Sequence, residues 1–458
     1  MRERFVILGL APPRAAWFRT VSGWASAAVL PAEFVRCVSL EDLRARLRSG
    51  RAFSTVLVDG RLPGLDRDLI AEARSRDVAV LVVDPPDPSR WRELGAAATL
   101  AAVFSRDEFV EVLSATSAMV GTATLELSED TVPVAELSGT WIAVCGTGGT
   151  GASSVAIALA QGLAADAGGT GDVAGSAVAG DVGDVAGSAP RSHLGGVLLA
   201  DLCRYADQAL LHDARVLVPS VQEVVEAHRT TVPELSAVAD QLFDVPARGY
   251  RLLLGLRRPR HWVLLRPLAL DRALDSLQAL AEVVVADIEA DVEGEAETGS
   301  VDVEDRNLLA RAALARADLV VFVAEASMKG VYATARYLDE LLAFGVPADR
   351  IVPVLNRSPR SPRRRAELTA TLAELVRGRA GAAAAELTNP LHLPDRPVES
   401  ALRDGSALPG ALSRSLARVV SARLAEVGTA GRSTAAPEPV AVQPGSLGDL
   451  DDMEGAGS

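Results

Sequence analysis

The run Cys145-Gly146-Thr147-Gly148-Gly149-Thr150-Gly151-Ala152-Ser153-Ser154 follows directly on an apolar stretch, Thr140-Trp141-Ile142-Ala143-Val144. It leads into an alanine-rich segment with helical character, Ser153 to Leu163. Glycines in such a turn let backbone N–H groups converge on one point at a helix N-terminus, where the helix dipole favours an anion. The phosphate-loop pattern is Gly, any four residues, Gly, Lys, then Ser or Thr. Gly146, Gly151 and Ser153 fit that pattern, but Ala152 stands where the lysine belongs. The chain's single lysine, Lys329, lies far along the sequence and reads as a surface residue. The segment therefore specifies a strand–loop–helix unit while withholding the cation that usually works in it.

Further strands support an α/β unit with a mainly parallel sheet. Val197 to Ala200 ends in Asp201, and Val283 to Ala286 ends in Asp287. Leu319 to Val323 is a third strand, and Ile351 to Leu355 a fourth that runs into Asn356-Arg357. Carboxylates at the C-terminal ends of parallel strands, beside a phosphate loop, suit Mg²⁺ or water positioning. Asp287 is thus the candidate catalytic residue, and Ser153 with Asp287 the candidate Mg²⁺ ligands. Gly146, Gly148, Gly149, Thr150, Gly151, Ala152, Ser153, Ser154, Asp201 and Asn356 are the candidate nucleotide contacts, with ATP or ADP as the expected ligand.

The N-terminal region is a separate α/β unit. Strands are expected at Phe5–Leu10, Ser54–Asp59 and Val78–Val83, with a weaker one at Ala101–Phe104. Helices are expected at Leu40–Leu47 and from Asp107. Asp59 followed by Leu62-Pro63-Gly64 resembles the phospho-acceptor region of response-regulator receiver domains. That family's acidic pair after the first strand is replaced here by Gly9-Leu10-Ala11-Pro12, and Ser105-Arg106 falls where its lysine would stand. Without the acidic pair Mg²⁺ has too few oxygen ligands. Asp59 is therefore read as a turn or capping residue in a degenerate, flavodoxin-like receiver used for docking.

A chain of 458 residues exceeds one ordinary domain. The expected organisation is a receiver-like domain over 1–118, a linker over 119–137, a second α/β domain over 138–428, and an acidic, disordered tail over 429–458. Within the second domain, 164–196 is expected to be a flexible low-complexity insert, since Gly and Ala bury too little surface to offset ordering entropy. The net charge of −14 disfavours nucleic acid as a partner. The cluster Arg357, Arg360, Arg363, Arg364 and Arg365 leaves a DNA-partition role as an alternative. Cys37, Cys145 and Cys203 are isolated, which argues against disulfides and against a zinc site. The opening apolar run is too short for a secretory signal, and no run approaches the ~20 residues that span a bilayer. The expected location is cytoplasmic, with peripheral contact at the inner face of the plasma membrane. The stripe Leu412, Leu416, Val419, Val420 and Leu424 is expected to pack on the core rather than on lipid.

Taken together, Gly139 to Val427 resembles the MinD/ParA superfamily of deviant Walker A ATPases. That family's loop reads Gly-Lys-Gly-Gly-Val-Gly-Lys-Thr-Thr. Gly146, Gly148, Gly149, Gly151, Ser153 and Ser154 match it, while Thr147 replaces the signature lysine and Ala152 the ordinary one. Asp201, Asp287 and Asn356-Arg357 match the acid ending the second strand, the switch aspartate and the base-contacting pair. Cys203 stands where the family has a second acid, and Ile288-Glu289-Ala290-Asp291 replaces its Pro-Gly or Ala-Gly turn. With a degenerate receiver in front, the chain looks like the CpaE/TadZ proteins of Flp pilus assembly. It is closer still to their actinobacterial relatives, the CpaE-like or septum site-determining (Ssd) group. The resemblance implies a homodimeric positioning scaffold that serves pilus, secretion or cell-division proteins. The missing lysines imply weak or absent hydrolysis, that is, a pseudo-ATPase. An active ATPase switch with a lysine supplied from elsewhere is the enzymatic alternative.

Overall fold

The computed structural model describes residues 4–12, 15–26, 29–120, 139–168, 195–377 and 387–433. The expected linker from 121 onward, the insert between 169 and 194, and the tail beyond 433 lie outside the described residues.

Two sheets organise the chain. The first contains β1 (Phe5–Leu10), β2 (Ala32–Arg36), β3 (Thr55–Asp59), β4 (Ala79–Val83) and β5 (Ala98–Leu100), all parallel, in the doubly wound order β2-β1-β3-β4-β5. The last strand is not where the sequence placed it: β5 ends at Leu100, before the expected Ala101–Phe104. The reason lies in its neighbour. The β4–β5 ladder closes at Val83 opposite Leu100, and Asp84 then turns away with φ of +53°. Residues beyond Leu100 have no strand left to pair with.

The second sheet contains β6 (Thr140–Gly146), β7 (Val197–Asp201), β8 (Phe243–Val245), β9 (Tyr250–Leu253), β10 (Val283–Asp287), β11 (Leu319–Glu325), β12 (Ile351–Ser358) and β13 (Leu391–Pro394). Its order is β13-β12-β11-β6-β10-β7-β9-β8, parallel throughout except for the β8–β9 pair. Both faces are covered, so the central strands are apolar on both sides, as buried parallel strands must be. One face carries helices Val221–Thr230, Pro267–Leu280 and Met328–Phe344. The other carries helix Ala152–Gly168 and the last helix, Gly410–Ser433.

Two boundaries run further than the composition suggested. The helix after the glycine loop continues to Gly168, into the expected insert, because Leu163-Ala164-Ala165-Asp166-Ala167 are competent helix residues and the glycine pair at 168–169 comes only after them. The last helix runs to Ser433, past the expected start of the tail at 429. Its stripe faces inward, with Leu416, Ala417 and Val420 fully buried against the glycine-loop helix. Among the described residues no helix is long and apolar enough to cross a membrane.

The two sheets are joined through the turn that follows Asp59. Asp66 caps helix Arg67–Arg74 and takes Arg44 at 3.0 Å and Arg229 at 3.3 Å, so it is shared by both units. Asp68 accepts the backbone N–H of Leu268, and Arg67 donates to the Thr231 carbonyl.

The contact between the glycine-loop helix and the last helix is close enough to depend on one missing methyl. A Cβ on Gly162 would sit 2.2 Å from the Ser413 carbonyl oxygen, while one on Gly23 would meet nothing within 4 Å. Gly162→Ala should therefore lower the stability of the full chain by ~1–3 kcal/mol. Gly23→Ala should leave it unchanged or raise it by up to ~1 kcal/mol. Urea midpoints of the two variants measure this, and equal midpoints would mean the helices are free to separate.

Candidate functional site

The site lies at the C-terminal edge of the second sheet, where β6, β7, β10 and β12 end side by side or one strand apart. The glycine loop leaves β6 at Gly146. Gly149 and Gly151 adopt φ of +80° and +86°, the left-handed backbone that glycine enters without a Cβ penalty. Between them the Thr150 hydroxyl donates to the Thr147 carbonyl at 2.7 Å, closing a turn. Helix Ala152–Gly168 then starts, with the Val155 N–H on the Gly151 carbonyl. The loop thus takes the left-handed glycine turn and helix entry that its spacing implied.

β12 supplies a brace from the far side. The Asn356 amide nitrogen donates to the Thr150 carbonyl at 2.9 Å, and its oxygen accepts the Arg357 N–H at 2.9 Å. That second bond accompanies a left-handed Arg357, φ +52°. Arg357 then lays its guanidinium on the Gly149 carbonyl at 3.2 Å. Both ends of the Asn356 amide are thus spent within the protein on holding the loop. A cation does reach the loop, although no Arg stands at either lysine position in the sequence. It arrives on Arg357 of β12, expected at the nucleotide base and found instead on a loop carbonyl.

Asp201 and Asp287 end adjacent strands in direct register. Both are buried, and among the described residues no salt bridge reaches either. Asp201 spends its oxygens on the backbone N–H groups of Cys203 at 3.2 Å and Gln208 at 3.0 Å. Asp287 accepts the Gln208 amide nitrogen at 2.7 Å through one oxygen, while its Oδ1 makes no hydrogen bond. Gln208 also reaches the Ser153 carbonyl at 3.3 Å, so it ties both carboxylates to the first turn of the loop helix. His212, one turn further on, bonds to the Gln208 carbonyl and the Tyr250 hydroxyl and anchors this short segment. Gln208 was not foreseen: it opens a helix of four residues, too short to leave a periodic signal.

Burial drives the electrostatics. Desolvation, and then the neighbouring Asp287, hold the Asp201 carboxyl well above its ordinary range. Desolvation pushes Asp287 up to about 6, against the Gln208 and Ser153 side chains, which favour its charged form. The Cys203 thiol is likewise raised by burial and by the two carboxylates. For the expected Mg²⁺, the open Oδ1 of Asp287 beside Ser153 is a fitting ligand atom. Asp201 could contribute only by giving up backbone hydrogen bonds.

The remaining sequence candidates are placed as follows. Gly148 and Gly149 are exposed at the loop's tip, while Gly151, Ala152, Ser153 and Ser154 are half-buried at its base. Arg363 and Arg364 both pair with Glu367 on an exposed helix face. In the first sheet, the Asp59 carboxylate is buried, accepting the Trp17 indole N–H at 3.0 Å and the Arg61 N–H at 3.0 Å.

No family model matches the chain, and no curated protein does. Among solved structures, the ParA family ATPase from Chlorobium tepidum TLS is similar at 15% identity and a TM-score of 0.40, covering 63% of this chain and 96% of that one. The cell division ATPase MinD from Pyrococcus furiosus is similar at 18% identity and a TM-score of 0.39, covering 62% and 99%. The septum site-determining protein MinD from Pyrococcus horikoshii OT3, complexed with Mg-ADP, is similar at 17% identity and a TM-score of 0.38, covering 64% and 96%.

The raised Asp287 has a direct consequence. Between the unfolded carboxylate range, near pH 4, and about pH 6, the folded protein holds a proton that the unfolded chain has released. The stabilisation this provides is complete below the unfolded value and is lost as pH rises through about 6. Asp287→Asn should match the native chain in stability near pH 4 and exceed it at pH 7.5 by roughly 1–3 kcal/mol. Urea unfolding in chelator-treated buffer measures the difference, and a gap that does not widen with pH would contradict the reading.

Proposed function

We propose that this chain is a nucleotide-binding positioning scaffold of MinD/ParA type that binds the phosphates of ATP or ADP and turns them over slowly or not at all. The carrying observation is a glycine loop kept in left-handed, helix-capping form while both of its lysine positions are neutral, Thr147 and Ala152. Backbone N–H groups and the Ser153 hydroxyl would hold the phosphates, with Arg357 as the nearby cation. Ser153 and Asp287 would hold the accompanying Mg²⁺. Asn356 serves first as the brace of the loop and only through it the nucleotide. Removing a transition-state cation costs several kcal/mol of barrier lowering, which favours a bound state that persists over one that cycles.

The reading extends to the whole chain. The division into 1–118, 119–137, 138–428 and 429–458 is proposed as receiver-like domain, linker, nucleotide domain and tail. Asp59 sealed beneath Trp17 supports a receiver that docks without being phosphorylated. The finer assignment is to the CpaE/TadZ/Ssd type, acting as a homodimer on pilus, secretion or cell-division proteins at the cytoplasmic face of the membrane. Arg363 and Arg364, engaged with Glu367, weigh against the DNA-partition alternative.

Steady-state phosphate release from ATP should stay at the no-protein background for the native chain. Restoring Thr147→Lys and Ala152→Lys together should tighten ATP binding by ~10-fold or more, the gain expected of new charge-assisted phosphate contacts. Robust native turnover that Asp287→Ala abolishes would replace the scaffold with an active switch.

A further inference from the structure

Cys203 is the feature of this edge that phosphate binding does not use. Sequence spacing argued against a zinc site because neither the cysteines nor the histidines show metal-ligand spacing. The fold supplies partners from elsewhere. One ligand atom each from Asp201, Cys203 and Asp287 lie within 4.8 Å of one another, and all three residues are buried. In a tetrahedron with metal–ligand bonds of ~2.0–2.3 Å the ligand atoms stand ~3.3–3.8 Å apart, so the three need draw in by no more than about 1.5 Å, with Asp201 turning an oxygen from its backbone hydrogen bonds to the ion. A second observation points the same way: the Asp287 Oδ1 is buried, on a residue only 1% exposed, and makes no hydrogen bond. Two adjacent buried carboxylates with no salt bridge among the described residues also leave room for a counter-cation, proton or metal.

We propose that Asp201, Cys203 and Asp287 form a binding site for a thiophilic divalent cation of the zinc and cobalt class. Two carboxylate oxygens and a thiolate are a poor set for magnesium, which demands oxygen ligands and an octahedron, and a good one for a borderline-soft ion that accepts sulfur. On binding, the Cys203 S–H proton, and any proton shared by the carboxylates, leaves to solvent as metal–sulfur and metal–oxygen bonds form; no electron changes hands. The open coordination position would fall to water or to a phosphate oxygen on the neighbouring loop. The site needs no nucleotide, so it stands or falls separately from the loop's phosphate binding.

The test is titration of the nucleotide-free full chain with Co²⁺, followed by absorption spectroscopy. A thiolate-to-cobalt charge-transfer band should rise to one ion per chain, be displaced by stoichiometric Zn²⁺, and persist in a large excess of Mg²⁺. Cys203→Ser should abolish the band, and Cys37→Ser, in the first sheet, should keep it. Cys203→Asp guards against misfolding: it should still bind Mn²⁺ by equilibrium dialysis while losing the cobalt–sulfur band. Absence of the band in the native chain, or its survival in Cys203→Ser, would overturn the site and leave protons as the only counter-charge of the pair.

Discussion

Two aspartates side by side in a sheet interior govern this molecule. Asp201 and Asp287 close neighbouring strands at the same height, where solvent cannot reach them. Burying like charges together is expensive unless something neutralises or bridges them. Gln208 bridges them on the protein side, through its amide to one and its backbone N–H to the other. The same side chain touches the Ser153 carbonyl, so the acid pair is mechanically continuous with the first turn of the loop helix. Whatever cation settles at the pair, proton or metal, is therefore felt at the loop.

The loop is held from two directions, and neither depends on the lysines it lacks. The acid pair and Gln208 grip its helix end, while Asn356 and Arg357 grip its carbonyls. A phosphate loop usually draws on a lysine both for charge and for reach. Here the backbone shape survives and the charge has moved to an arginine on β12, which lies on a loop carbonyl. Such a site is suited to holding an anion, since holding needs only preformed N–H groups and a helix dipole. Rapid phosphoryl transfer asks for cations aimed at the developing charge.

Much of this was legible in the residues. The strands around Asp201 and Asp287 were found because a buried parallel strand is a continuous apolar run with a polar stop. The loop was found because glycine spacing is a direct record of backbone geometry. The unseen parts share a physical reason: they are set by tertiary contacts that leave no local period. β5 ends where its partner turns away at Asp84, not where its own apolar residues run out. The short β8 and β9 pair with each other and then with β7, across a gap of more than forty residues in sequence. Gln208, the Arg357 contact and the meeting of Cys203 with two carboxylates are all products of the strand order β12-β11-β6-β10-β7. No spacing rule along the chain could anticipate them.

The central claim is that the glycine loop binds phosphate through its backbone. Isothermal titration of the native full chain with ADP, AMP and adenosine tests it most directly. Affinity should rise with each phosphate, and adenosine should not bind measurably. Equal binding of all three, or no binding of ADP at millimolar concentration, would contradict it and leave the loop a structural turn.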